Sequence, residues 1–141
     1  MSSEKSTANK VVDQMYNNDP FSIWLGIERL EESAGKSVLR MNVRPEMLNG
    51  FGIAHGGITY CLADSALAFA SNSHGKKAVS IETSVSHLQP VKEGDILTAT
   101  AVEKNLSNKI AVYEVDIKNQ NSILVAHFKG TVYRTSKDWE I

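Results

Sequence analysis

The stretch from Gly56 to Ser73 constrains the fold of this chain more than any other segment. It holds eighteen residues, mostly alanine, serine, leucine and other small or apolar types, and Asp64 is its one strongly acidic or basic side chain. A helix of about five turns fits that length. Ile58, Leu62, Ser65 and Phe69 mark one stripe, while Ala63, Ala66, Ala68 and Ala70 occupy other faces. A helix with so little polar surface must be buried on most sides. The rest of the chain has to wrap around it.

The flanking sequence supplies the material for that wrapping. Thr7 to Asn17 carries Val11, Val12, Met15 and Tyr16 at helical spacing, and Asn17-Asn18-Asp19-Pro20 is expected to stop it. Phe21 to Val43 reads as extended, with a turn at Ser33-Ala34-Gly35-Lys36. Beyond the turn, Leu39, Met41 and Val43 alternate with Val38, Arg40 and Asn42, and Pro45 ends the run. After the apolar helix come four further extended runs: Val79 to Leu88, Ile96 to Glu103, Ile110 to Lys118 and Ile123 to Thr135. Turn-rich segments separate them at Pro90 to Asp95, at Asn105-Leu106-Ser107-Asn108 and at Asn119-Gln120-Asn121-Ser122. Consecutive strands with short connections pair antiparallel. The expected class is α+β: one long central helix wrapped by a curved antiparallel sheet of five to six strands. Residues 1–20 read as an N-terminal tail (Ser2 to Ser6) and short helix, and 21–141 as a single domain.

Composition excludes more than it selects. With 141 residues, 42% apolar and 22% charged, the chain is long enough for one well-packed core without disulfides or metals. A net charge of −1 gives no field that favours nucleic acid or an anionic membrane. No apolar run reaches the roughly 18–20 residues of a membrane span. The start of the chain lacks the apolar core of a secretion signal. Cys61 is the only cysteine, so no internal disulfide forms, and the simple expectation is a cytoplasmic protein.

The chemistry concentrates at the front of the apolar helix. Asn49-Gly50-Phe51-Gly52-Ile53-Ala54-His55-Gly56-Gly57 has four glycines in nine residues. Gly56 and Gly57 leave the first helical N–H groups sterically open, and the helix dipole adds positive potential there. Such a terminus suits the developing oxyanion of an acyl transfer. Asp64 is a carboxylate removed from water, which marks a functional group or a structural aspartate bonded to a hydroxyl. The glycines have a plain reading too, as a tight turn with close packing. Eight residues separate Gly56 from Asp64, or ~12 Å at 1.5 Å per residue. Both an oxyanion donor and a nucleophile must come within ~3 Å of the reacting group. One helix cannot bring both to one carbonyl, whereas two copies about a two-fold axis can. A catalytic role therefore requires at least a homodimer.

These residues also carry a resemblance. The loop Asn49 to Gly57, Leu62-Ala63-Asp64-Ser65-Ala66, Ser71-Asn72-Ser73 and the strand closing on Gln89-Pro90-Val91 resemble the phenylacetic acid degradation branch of hotdog-fold acyl-CoA thioesterases. The likeness covers the element order of nearly the whole chain beyond residue 20. It implies a hotdog fold and hydrolysis of an aryl-acetyl, aromatic or medium-chain acyl-CoA, with no cofactor and no metal. It implies Asp64 as nucleophile or general base and the Gly56 N–H as oxyanion donor. Asn49 and His55 would line the site and orient substrate or water. Gly57, Ser80 and Thr83 would be on the substrate side. The implied assembly is a homodimer at least, with a homotetramer as the fuller expectation.

Two rival readings fit the same residues. A hotdog hydratase or dehydratase would pair His55 with Asp64, and a non-catalytic module would bind acyl-CoA in the same pocket. His55 reads as a positioning residue and His74 as support for the helix's C-terminal dipole. His87 and His127 lie in strands without ligand spacing, so no zinc site is indicated. Lys76, Lys77, Lys92, Lys104, Lys109, Lys129 and Arg134 are candidates for the coenzyme A phosphates. The segment with Met15, Tyr16, Phe21 and Trp24 could roof an acyl pocket.

Overall fold

The structure, a computed structural model, describes residues 4–141. The expected tail at Ser2 and Ser3 lies outside the described residues. Lys5 and Ser6 are tied down: Lys5 bridges Asp13 at 2.8 Å, and Ser6 Oγ accepts from Asn9 N–H as an N-cap. Helix α1 then spans Thr7–Asn17, as its spacing predicts.

Where an extended run is expected after Pro20, the chain makes a second, short helix, α2, at Pro20–Trp24. The stop signal for α1 doubles as a start signal. Asp19 caps α2 by accepting from Ser22 N–H at 3.0 Å, and Pro20 takes the first position, where a missing N–H does no harm. Strands β1 (Glu28–Ser33) and β2 (Lys36–Asn42) follow, turning at Gly35 with φ +77°. Leu39 and Met41 are fully buried, so the alternation faces inward as read.

A 3₁₀ turn at Pro45–Met47 leads to the glycine loop and to α3, Gly56–Asn72. Four strands complete the chain: β3 (Lys76–His87), β4 (Ile96–Leu106), β5 (Ile110–Lys118) and β6 (Leu124–Asp138). β4 runs three residues beyond the expected end and absorbs Asn105-Leu106 through an irregularity between Glu103 and Asn105. The order across the sheet is β1-β2-β4-β5-β6-β3, antiparallel throughout. This is the hotdog arrangement, and α3 lies along the concave face.

Small residues set how closely the helix and sheet approach. Ala63, Ala66 and Ala70 of α3 are buried, as are Ala99, Ala101 and Ala111 of the sheet. Gly130 of β6 marks a close approach, since a Cβ there would lie 2.5 Å from Leu67 Cδ2. α1 covers the remaining side, with Val12 in the same core cluster and Tyr16 meeting Phe69 edge-on at 6.4 Å. His74, just past the C-cap of α3, has its Nε2 2.7 Å from Glu103 Oε1, which also accepts from the buried Tyr113 hydroxyl at 2.8 Å.

The two sheet edges differ. β1 carries Glu28, Arg29, Glu31 and Glu32, charges that discourage another strand from pairing. β3 is less heavily charged, with Glu82 as the one ionised side chain near its middle, beside Val79 and Ile81, which are 57% and 58% exposed.

Candidate active site

The loop that feeds α3 is held by its own side chains. Asn49 Oδ1 accepts from Phe51 N–H at 2.8 Å, and the Asn49 N–H donates to Ile53 O at 2.7 Å. Ala54 N–H reaches Val91 O at 2.7 Å, which ties the loop to the segment after β3. His55 is the N-cap of α3: its Nδ1 accepts from Gly57 N–H at 3.0 Å. That bond occupies the Gly57 donor. The Gly56 N–H has no hydrogen-bond partner among the described residues and is left free at the positive end of the helix.

His87 stands over this donor. Thr59 Oγ1 donates to Gly56 O at 3.0 Å and lies 3.2 Å from His87 Nδ1. A Cβ on Gly56 would meet His87 Nε2 at 3.1 Å, so glycine is what leaves the approach open. Gly56, Asn49, Thr59 and His87 line one cavity of about 380 Å³. Composition alone gives His87 no role beyond that of a strand residue. Its signal is the alternation Thr83, Val85, His87, which turns all three towards α3.

Asp64 lies two turns further along α3. It is half-buried and has no hydrogen-bond partner among the described residues. Burial, and then the charge of Asp19, push its carboxyl above the usual aspartate range. The neighbouring Cys61 thiol is raised by burial and by the Asp64 charge, which suppresses the reactive thiolate. Asp64 and Ser80 line a second cavity of about 370 Å³, together with Met15, Leu67, Ala68 and Trp139. The two cavities share no lining residue.

The predicted site residues thus fall into two groups. Asn49 and Gly56 come together in one cavity, and Asp64 and Ser80 in the other. His55 and Gly57 sit at the start of α3, bonded to each other. Thr83 Oγ1 is 2.6 Å from the Tyr60 hydroxyl. Asp19, His87 and Trp139 are additions beyond the residues that the sequence points to, while Met15, a candidate roof for the acyl pocket, lines the Asp64 cavity. Among the described residues no group of His, Cys, Asp or Glu is placed to hold a metal ion, and no helix is long and apolar enough to cross a membrane.

Comparison with known proteins bears on this geometry. The Thioesterase superfamily model matches residues 51–126, which include the end of the glycine loop, all of α3 and most of the sheet. The chain belongs to the thioesterase superfamily. Its chemistry is that of a thioester hydrolase. The acyl-coenzyme A thioesterase PaaI of Escherichia coli is 40% identical over 120 residues, covering 85% of this chain and 86% of that protein. The solved structure of the E. coli PaaI protein from the phenylacetic acid degradation operon superposes with a TM-score of 0.92, at 37% identity, over 94% of this chain and 96% of that one. A Streptococcus mutans structure bound to acetyl CoA matches with a TM-score of 0.78 at 27% identity, covering 80% and 91% of the two chains.

Proposed function

We propose that this thioester hydrolase cleaves acyl-CoA to a free acid and coenzyme A at sites shared between two subunits. The observation that carries the reading is the separation of its two functional halves. Gly56 and Asp64 stand ~12 Å apart on one helix and open into different cavities, so neither half is sufficient alone. The free edge of β3, with Val79 and Ile81 exposed, supports pairing of two copies there, which would bring Gly56 of one subunit near Asp64 of the other.

In the shared site the thioester oxygen accepts from the Gly56 N–H, and positive potential at the helix start stabilises the oxyanion. Asp64 of the opposite subunit attacks the carbonyl carbon, or takes a proton from a water that does. Collapse of the tetrahedral intermediate breaks the C–S bond and releases the thiolate, which is protonated to coenzyme A. If Asp64 attacks, water then hydrolyses the mixed anhydride and regenerates the carboxylate. Its raised pKa makes it a stronger base than a solvated aspartate. Ser80 lines the Asp64 cavity and suits the positioning of water. Asn49 and His55 hold the loop, and Gly57 and Thr83 complete the surrounding surface. What weighs against the hydratase alternative is the match to thioesterases over most of the chain.

An acyl-CoA panel spanning aryl-acetyl, aromatic and straight-chain thioesters tests the assignment, with release of free thiol as the readout. Asp64→Asn is expected to keep the fold and lower turnover by a factor on the order of 10² or more. Hydrolysis by that variant at the wild-type rate contradicts the role given to Asp64.

A further inference from the structure

The Asp64 cavity has a definite direction. Asp64, Leu67, Ala68, Ser71 and Asn72 lie on one stripe of α3, so it runs along the helix for two turns, ~12 Å. Ala78, Val79, Ser80 and Val132 form its sheet side. Its lining is mainly apolar, as an acyl group requires.

Trp139 closes the far end. It follows β6, and three contacts fix it. Its indole Nε1–H donates to Asn72 Oδ1 at 2.9 Å, its backbone N–H donates to Gly75 O at 2.8 Å, and the Lys77 ammonium stands 5.0 Å from the ring centroid. Asn72 is itself fully engaged. It donates to Ala68 O at 2.8 Å and Ala78 O at 3.1 Å, and it accepts from Ala78 N–H at 2.9 Å. The indole is therefore held by an anchor with no freedom to turn.

Behind Trp139 lies another hollow of about 400 Å³, between α1 and α2, lined by Gln14, Asn18, Asp19, Pro20 and Phe21. Met15 and Trp139 line both spaces, and no other residue does. They form a partition one side chain thick. We propose that Trp139, backed by Met15, sets the length of acyl group this enzyme accepts, so that aromatic and medium-chain acyl-CoAs fit and long chains are refused. An indole face and a thioether also make favourable contacts with an aryl ring. The inference rests on the reading of Asp64 as the catalytic carboxylate, from which the length is measured.

The test compares kcat/KM across saturated acyl-CoAs of graded length, with phenylacetyl-CoA alongside. Trp139→Ala joins the two hollows, and each further methylene that then leaves water strengthens binding about fourfold. The ratio of kcat/KM for a long-chain substrate to that for the wild type's best substrate is expected to rise at least tenfold. Met15→Ala, which thins the same partition from α1, is expected to shift the ratio the same way, and it decides the matter if Trp139→Ala does not fold. Trp139→Phe keeps an aromatic wall and is expected to retain the wild-type cut-off. A cut-off lost as fully in Trp139→Phe as in Trp139→Ala overturns the steric account, as does an unchanged length profile in folded Trp139→Ala and Met15→Ala. Asp64→Asn in the same series separates the two claims. If it hydrolyses normally, the site reading fails; if it is inactive while the length profile stays fixed, only the partition fails.

Discussion

Mixing two inactive variants is the sharpest test of a site divided between subunits. Gly56 opens α3, and His55 before it is already extended at φ −60°, ψ 138°. A proline at position 56 removes the N–H while suiting both its own place and that of the preceding residue. The added ring approaches His87, whose exposed imidazole can swing aside. Gly56→Pro therefore deletes the donor and leaves the helix start intact. Loss of one oxyanion donor lowers kcat roughly 10²–10³-fold. Asp64→Asn removes the carboxylate with a loss of similar scale. In a heterodimer of the two, one site carries both lesions and the other carries neither. Random re-association of equal amounts makes half of the dimers mixed, each with one intact site of two, so about a quarter of wild-type activity returns. Against parents at ~1% or less, a thiol-release assay reads that recovery directly. Native mass spectrometry of differently tagged subunits establishes that exchange has occurred. Confirmed exchange with no rise above the parental rates refutes the shared site.

Two further outcomes follow from the electrostatics. The folded-state pKa of Asp64 is raised, so its contribution to stability is full below the ordinary value of 3.8 and is lost as pH rises through the raised value. Asp64→Asn should thus melt above wild type at neutral pH, with the gap closing as pH falls towards 3.8. Wild-type kcat/KM should climb as pH rises through the same window, because the carboxylate is the active form, and equal melting temperatures at pH 7 would contradict the shift. Away from the site, Glu103→Ala leaves the buried Tyr113 hydroxyl without its acceptor, a loss of about 1–3 kcal/mol measurable by urea denaturation at constant m-value. A change under about 0.5 kcal/mol would mean that the hydroxyl finds another partner.

The parts of this fold that could be read from sequence are those with one dominant local signal. α3 announces itself because eighteen residues lack charge except at Asp64, and β5 because Ile110 to Lys118 alternates between two clean turns. α2 was hidden because five residues are too few for periodicity, and because Asp19-Pro20 ends one helix while capping the next. The same division holds for the site. Gly56 and Asp64 were visible because one contiguous loop and helix carries them, and their spacing could be converted to a distance. Trp139 was not visible, since only the tertiary path of β6 and its bond to Asn72 bring it to that helix. His87 faces Gly56 for a similar reason: strand register, rather than local composition, aims it.

The sheet order also imposes a sequence of events during synthesis. β3 leaves the ribosome well before β6, its only neighbour in the sheet, and β4 and β5 are made in between. Until β6 arrives, β3 has neither edge satisfied, and α3 lacks part of the surface that covers it. Such late, long-range pairing is slow and leaves apolar segments uncovered in the nascent chain. In the assembly proposed above, the free side of β3 is held in place for a second copy only once β6 has paired with its other side. Chains cut short before β6 would then lack the paired edge strand on which that assembly is built.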